Sequence, residues 1–114
     1  MSKRTFIALL QDILDETKKI EAFTKNLNYK QFSNDTKTQY AVARSLEIIG
    51  EAVKKLPNDL KTEYHQIEWK KIAGLRDILI HDYFGINYKI LWDITQNQVP
   101  DLRDKIKKIS KDIK

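Results

Sequence analysis

Four residues near the middle of the chain, Arg76, Asp77, His81 and Tyr83, combine side chains that bind anions and transfer protons. An arginine keeps its positive charge at any physiological pH, whereas a histidine titrates close to neutrality. Asp77 precedes His81 by four residues, which is the spacing at which two side chains meet on a helix, so its carboxylate could orient the imidazole. The group therefore predicts chemistry at a phosphate.

RNA is a substrate that such a group could cleave without a metal, because its 2′-hydroxyl is a built-in nucleophile. Cleavage needs a base, an acid for the leaving oxygen and a cation for the charge on phosphorus. One histidine supplies a single proton-transfer group, so two chains would be needed for both, which favours a homodimer. Gly74 lies on one helical arc with Lys70, Asp77 and His81, and a glycine there costs about 1 kcal/mol relative to alanine. It suggests close approach by another chain or by a ligand.

Other classes of site have weaker support in the sequence. There is no cysteine, and His65, the other of the two histidines, has no partner at a metal-ligand spacing. The sequence contains no glycine-rich phosphate loop and no nucleophile elbow. We therefore predict neither a metal nor a cofactor.

The position of Arg76 leaves two interpretations open. On a helical wheel it lies in the middle of an apolar arc. The members of that arc are Trp69, Ile72, Ala73, Leu79, Ile80 and Tyr83. A buried guanidinium must be paired or must line a cleft, so Arg76 either forms a structural salt bridge with Glu47 or Glu51 or binds a phosphate. His81, taken alone, could equally be a half-buried histidine near a helix end.

The composition describes one basic domain, residues 1–114, with a net charge of +5. Lys70, Lys105 and Lys108 are candidate RNA-binding residues, although the lysine-rich C-terminal end could equally be a solvated helix end that suits the helix dipole. The N-terminal helical pattern is interrupted by charges and no apolar run approaches the roughly 20 residues that span a bilayer. We expect a cytoplasmic protein with no membrane contact.

Apolar periodicity predicts an all-α fold, an antiparallel bundle of four to five helices. The first helix runs from about Lys3 to Lys25, and the second from an N-cap at Asn34 to Pro57, with a short turn or helix after it. The apolar face of the first comprises Phe6, Leu10, Ile13, Thr17, Ile20, Thr24 and Leu27, widened by Ile7, Leu14 and Phe23. That of the second comprises Val42, Leu46, Ile49, Val53 and Leu56. Between the two helices, we expect Phe32 to pack onto the core.

The third predicted helix spans about Glu68 to Tyr83 and stops at Gly85. Asn87 then caps a fourth helix, and Pro100 begins a fifth. The fourth carries Ile90, Leu91 and Ile94, and the fifth carries Leu102, Ile106 and Ile109 on one side. The third helix would thus position Arg76, Asp77 and His81.

The segment from Arg76 to Tyr83 resembles the Arg-polar-x3-His-x-Tyr motif of HEPN domains, and of their HepT-like branch in particular. Further segments are similar to the same branch in the same order along the chain. They are Ile48–Ala52, Ile67–Trp69, Ile72–Arg76, Trp92–Ile94 and Val99–Leu102. The resemblance thus extends over nearly the whole chain. Asp77 departs from the pattern, because the residue after the arginine is often asparagine.

This resemblance implies a homodimeric helical bundle whose Arg76 and His81 face a shared cleft. It implies a metal-independent RNA endonuclease, with tRNA as one candidate substrate, that is the toxin of a toxin–antitoxin pair. Tyr83 matches the tyrosine that a nucleotidyltransferase antitoxin of the MntA type modifies with AMP. One alternative is a non-catalytic nucleotide-binding or docking subunit of a nucleotidyltransferase complex, in which Arg76 binds a phosphate and His81 is structural. A second alternative is a helical adaptor.

Overall fold

A computed structural model describes residues 2–81 and 87–113, with the backbone alone for Lys3 and for residues 76–81. These residues form helices and contain no strand, which confirms the predicted all-α fold. The helices are α1 (Lys3–Thr24), α2 (Tyr29–Ser33), α3 (Thr36–Lys55), α4 (Asn58–Glu63), α5 (Trp69–His81), α6 (Tyr88–Asp93) and α7 (Val99–Ile113). In this described part, no helix is both long enough and apolar enough to cross a membrane.

The long helices α1 and α3 form the centre of the core. Helix α1 packs against α3 and α7, and α3 also packs against α5. The predicted stripe of α3 is buried throughout, as are Leu10, Ile13 and Ile20 of α1. Each such side chain contributes roughly 1.5–3 kcal/mol by leaving water. The α3 side of α5 is therefore the fixed surface on which the predicted site is built.

Two threonines interrupt the apolar face of α1, as predicted, and both are buried. Thr17 Oγ1 donates to the carbonyl of Leu14 at 2.7 Å, and Thr24 Oγ1 donates to that of Ile20 at 3.0 Å. These bonds to the helix's own backbone satisfy the hydroxyls, so burial leaves no orphaned polar group.

The segment between α1 and α3 contains the short helix α2, which holds Phe32 in the core. Asn28 and Gln31 cap it reciprocally, because each side chain accepts from the other residue's backbone N–H, at 2.8 and 2.9 Å. Phe32 is fully buried, as predicted, with its ring centroid 5.2 Å from that of Trp92. This contact joins α2 to α6.

Two predictions at the ends of these helices are wrong. The N-cap of α3 is Asp35 and not Asn34, because Asn34 ends α2 and its amide donates to the carbonyl of Lys30. Phe23 does not widen the buried face of α1, since 39% of its surface stays exposed. Helix α3 ends at Lys55, two residues before Pro57, as expected.

Helices α6 and α7 follow one another without a loop. Asn87 caps α6 as predicted, accepting from the N–H groups of Lys89 and Ile90. A π-helical turn, Ile94–Gln98, then leads into α7, and the N–H of Val99 donates to the carbonyl of Ile94. Pro100 is the second residue of α7, so the predicted start of this helix is confirmed to within one residue. The wider turn accommodates a proline, which lacks an N–H and crowds the preceding turn.

Candidate functional site

Helix α5, which carries the predicted catalytic residues, is fixed at its first residue. The indole of Trp69 is 7% exposed, and its Nε1 donates to the carbonyls of Tyr64 at 3.1 Å and Lys61 at 3.2 Å. Tyr64 in turn donates its hydroxyl to Asp112 of α7 at 3.2 Å. Burial, and secondarily the Asp112 carboxylate, raises the pKa of Tyr64. The connection from α4 to α5 is therefore held on two sides.

The helical register places Arg76 on the packed side of α5. Trp69 and Leu75 are buried, and at 100° per residue the backbone position of Arg76 falls between them. Ile72 and Ala73 of the predicted apolar arc are only half-buried. Leu75 is buried although the predicted apolar arc does not include it, so the packed face of α5 is wider than predicted. The side chain of Arg76 lies outside the described residues.

Asp77 and His81 occupy the adjacent arc, with Lys70 and Gly74. Lys70 is exposed and Gly74 half-buried, so this arc faces away from the core. A Cβ built on Gly74 would meet no heavy atom within 4 Å. Nothing in the described part of this chain therefore requires a glycine there. The side chains of Asp77 and His81, and Tyr83 and Gly85 altogether, lie outside the described residues.

The two carboxylates that could pair with Arg76 lie on α3. Glu47 accepts from Arg44 on the same helix, with 3.3 Å between Oε2 and a guanidinium nitrogen. Glu51 is half-buried one turn further along. A salt bridge from either to Arg76 stays a prediction.

Lys105 and Lys108, two of the three predicted RNA-binding residues, lie on α7. Lys105 Nζ is 2.9 Å from a carboxylate oxygen of Asp101, so part of its charge is already neutralised. It borders a groove between α5 and α7 whose floor includes Ile72 and Leu102. Lys108 is exposed.

Lys70 lines a concave surface at the start of α5, which we call the basic pocket. Its charged members and the tryptophan beneath them are Lys61, His65, Glu68, Trp69, Lys70 and Lys71. Three lysines thus face one carboxylate, and Glu68 is only loosely paired with Lys71, at 3.9 Å. Sequence reasoning missed this pocket because Lys61 and His65 precede α5 and join Lys70 only through the fold.

No group of three or more potential metal ligands occurs among the side chains that the structure describes. His65 is exposed in the basic pocket, where lysines outnumber carboxylates. The basic pocket at the start of α5 therefore offers positive charge to a ligand, which suits phosphate.

The chain matches a known protein family over residues 13–109, and that family is described as Ribonuclease HepT-like. A protein of Methanocaldococcus jannaschii named as a putative RNase is 53% identical over 113 residues, which are 99% of this chain and 93% of that protein. A protein of Thermococcus cleftensis named as a probable ribonuclease HepT is 43% identical over 96% of this chain and 99% of its own length. No solved structure gives a significant match. This extent of similarity, together with the all-helical fold, establishes that the chain belongs to the HepT-like ribonuclease family.

Proposed function

We propose that the protein is a metal-independent RNA endonuclease whose chemistry is carried by Arg76 and His81. The observation that carries the proposal is the family match, which extends through α5 and includes both residues. The helical backbone of α5 supports it, because both residues belong to one continuous helix.

Each residue has a distinct role in this proposal. The 2′-hydroxyl of RNA attacks the neighbouring phosphorus, and the bond from phosphorus to the 5′-oxygen breaks. His81 transfers a proton, Arg76 stabilises the negative charge on the phosphate oxygens, and Asp77 orients the imidazole. A second chain supplies the other proton-transfer group in a homodimer. The products are a 2′,3′-cyclic phosphate and a 5′-hydroxyl. Lys70, Lys105 and Lys108 attract the substrate.

We further propose that the enzyme is a toxin that a nucleotidyltransferase antitoxin of the MntA type neutralises by attaching AMP to Tyr83. Tyr83 follows His81 by two residues. An adenylyl group there would add a negative charge and a bulky base beside the catalytic residues, and it would compete with RNA for Arg76. A tRNA substrate and a cytoplasmic location complete the proposal.

The test compares wild type with His81→Ala and with a surface control, Lys30→Ala. Lys30 is exposed on α2. Expressed without a partner, wild type and Lys30→Ala should stop growth and degrade RNA, and His81→Ala should do neither while keeping the same circular dichroism. In vitro, a 2′-O-methyl group at the cleaved position should block the reaction. Cleavage by purified His81→Ala at the wild-type rate would contradict the assignment, and would favour a docking subunit in which His81 is structural.

Neutralisation has its own test. Tyr83→Phe removes the phenolic oxygen but keeps the ring, so the antitoxin should neither label this variant with AMP nor rescue growth. Normal neutralisation of Tyr83→Phe through adenylylation would contradict the role proposed for Tyr83.

A further inference from the structure

We propose that the basic pocket is a phosphate-binding subsite for the RNA strand, separate from the Arg76 and His81 positions and on the same helix. The inference rests on the proposed endonuclease function, because it names how the substrate is held. The pocket is formed by the α4–α5 connection and the first turn of α5, whereas the catalytic residues lie in the second half of α5.

The charges of the basic pocket are available to a ligand. Among the side chains that the structure describes, no carboxylate pairs with Lys61 or Lys70. This distinguishes them from Lys105, which is held by Asp101. The first turn of α5 adds the positive end of a 13-residue helix dipole. A phosphate is the anion that several lysines and a helix N-terminus bind together.

The pocket is also rigid, which lowers the cost of ordering it around a ligand. The Trp69 indole forms part of its wall and ties Lys61 to the start of α5 through the hydrogen bond to the Lys61 carbonyl. Lys70 and Lys71 belong to the first turn of that helix. The backbones of all three lysines are therefore fixed relative to one another, and only the side chains must be ordered.

The spacing along α5 favours a chain of phosphates over a single small anion. Lys70 precedes Arg76 by six residues and His81 by eleven, which at 1.5 Å per residue is about 9 Å and about 16 Å along the helix axis. A strand cut near His81 could thus place a phosphate some nucleotides away in the basic pocket. A mononucleotide could not reach both.

The experiment compares Lys61→Gln/Lys70→Gln with a matched control, Lys18→Gln/Lys25→Gln, which removes the same charge from exposed positions at α1. Binding of a single-stranded RNA of about 12 nucleotides is measured against salt concentration, in a His81→Ala background that keeps the RNA intact. The logarithm of the binding constant falls with the logarithm of the salt concentration, and each lost phosphate contact makes this slope shallower by about 0.7. The slope of the double variant should therefore be shallower than that of wild type by about 1.4. At 0.1 M salt its affinity should fall on the order of tenfold, and that of the control should hardly change.

Cleavage by the same charge variants with His81 intact separates this inference from the proposed function. For the 12-nucleotide RNA we expect a raised KM and an unchanged kcat in Lys61→Gln/Lys70→Gln. For a dinucleotide, too short to reach the basic pocket, the ratio of the variant's KM to that of wild type should be much smaller than for the 12-nucleotide RNA. If Lys61→Gln/Lys70→Gln cleaves RNA with the KM and the salt slope of wild type, the subsite is contradicted but the endonuclease proposal is not. That result would favour an acidic protein as the ligand of the basic pocket. Absence of any cleavage by wild type would overturn the endonuclease proposal as well. If the double variant loses its fold, Lys70→Gln alone should lower the slope by about 0.7.

Discussion

The indole nitrogen of Trp69 lies 3.2 Å from the carbonyl oxygen of Lys61, and it shares its hydrogen with the carbonyl of Tyr64 at 3.1 Å. The contact links the last turn of α4 to the first residue of α5 across eight positions of sequence. It thereby fixes both the start of α5, which carries the proposed catalytic residues, and one side of the basic pocket. One buried side chain thus contributes to the packing of the bundle and to the surface that we propose binds RNA.

Replacing this indole should destabilise the protein through its hydrogen bonds more than through its volume. Trp69→Phe removes the donor that the carbonyls of Lys61 and Tyr64 share, although the Tyr64 carbonyl still accepts from the N–H of Ile67. We therefore expect the free energy of unfolding in urea to fall by about 1–3 kcal/mol. Trp92→Phe is the matched control. It keeps an aromatic ring against Phe32 and should cost less than about 1.5 kcal/mol. Equal losses in the two variants would show that the Trp69 hydrogen bonds contribute little.

Phe32 should be among the most sensitive core positions, although it belongs to a five-residue helix. Its side chain is fully buried against Trp92, so Phe32→Ala should lower the free energy of unfolding by about 3–5 kcal/mol. Phe23→Ala provides the comparison, because Phe23 is 39% exposed and its truncation should cost well under half as much. A small effect of Phe32→Ala in chemical denaturation would mean that α2 is dispensable for the core.

Asp35 should make stability depend on pH in the acid range. Its carboxylate accepts from Thr38 Oγ1 at 2.6 Å and from the Thr38 N–H at 3.0 Å, and these bonds, the hydroxyl first, lower its pKa below the usual value. A lowered folded-state pKa gives a stabilising contribution that is present above the unfolded-state pKa of about 3.9 and is lost as the pH falls through the folded-state value.

Thermal unfolding of wild type and Asp35→Asn between pH 7 and pH 2 checks this expectation. Asparagine can still cap the helix but cannot titrate. Wild type should therefore lose more of its Tm below about pH 4 than Asp35→Asn does. Parallel Tm curves for the two proteins would show that the cap carboxylate does not contribute to acid unfolding.

Helix existence and the core could be predicted here because periodicity reports directly on burial. The apolar stripe of α3 is buried as predicted, and even the threonines of α1 follow the pattern, because the helix backbone satisfies their hydroxyls. The errors lie where tertiary contacts compete. Asparagine is a good N-cap residue, but Asn34 lies at the C-terminal end of α2 and so does not cap α3. The helix α2 was not predicted, because its one buried side chain, Phe32, gives no periodic pattern. The π-helical turn before Pro100 has no signal in the periodicity.

The candidate site divides in the same way. Arg76, Asp77 and His81 lie on one helix, so their spacing could be interpreted directly, and their assignment to a helix is confirmed. Lys61 and His65 come from a different element and reach Lys70 only through the Trp69 contact, so no local pattern indicates them. Lys105 was predicted from charge alone, and its pairing with Asp101 depends on a geometry that composition does not contain.

Gly74 allows a test of whether another molecule approaches α5. Outside the backbone of its own helix, a Cβ at this position meets no atom of the described residues within 4 Å. Because Gly74 lies inside a helix, Gly74→Ala should stabilise the isolated chain by up to about 1 kcal/mol. If a second chain or the RNA backbone contacts this arc, the same methyl group should weaken dimerisation or RNA cleavage. We therefore expect a higher Tm together with a lower activity, measured by thermal unfolding, sedimentation and RNA cleavage.

Ala22→Gly is the mirror-image control, because it removes a methyl group from an exposed position of α1, away from the arc. It should lower the Tm and leave the activity per folded molecule unchanged. If Gly74→Ala raises the Tm but lowers the activity, and Ala22→Gly does not separate the two, a functional contact at the glycine is indicated. A change in stability by itself would move the Tm and the total activity in the same direction. An unchanged oligomeric state and activity in a stabilised Gly74→Ala would show that nothing packs closely against this arc.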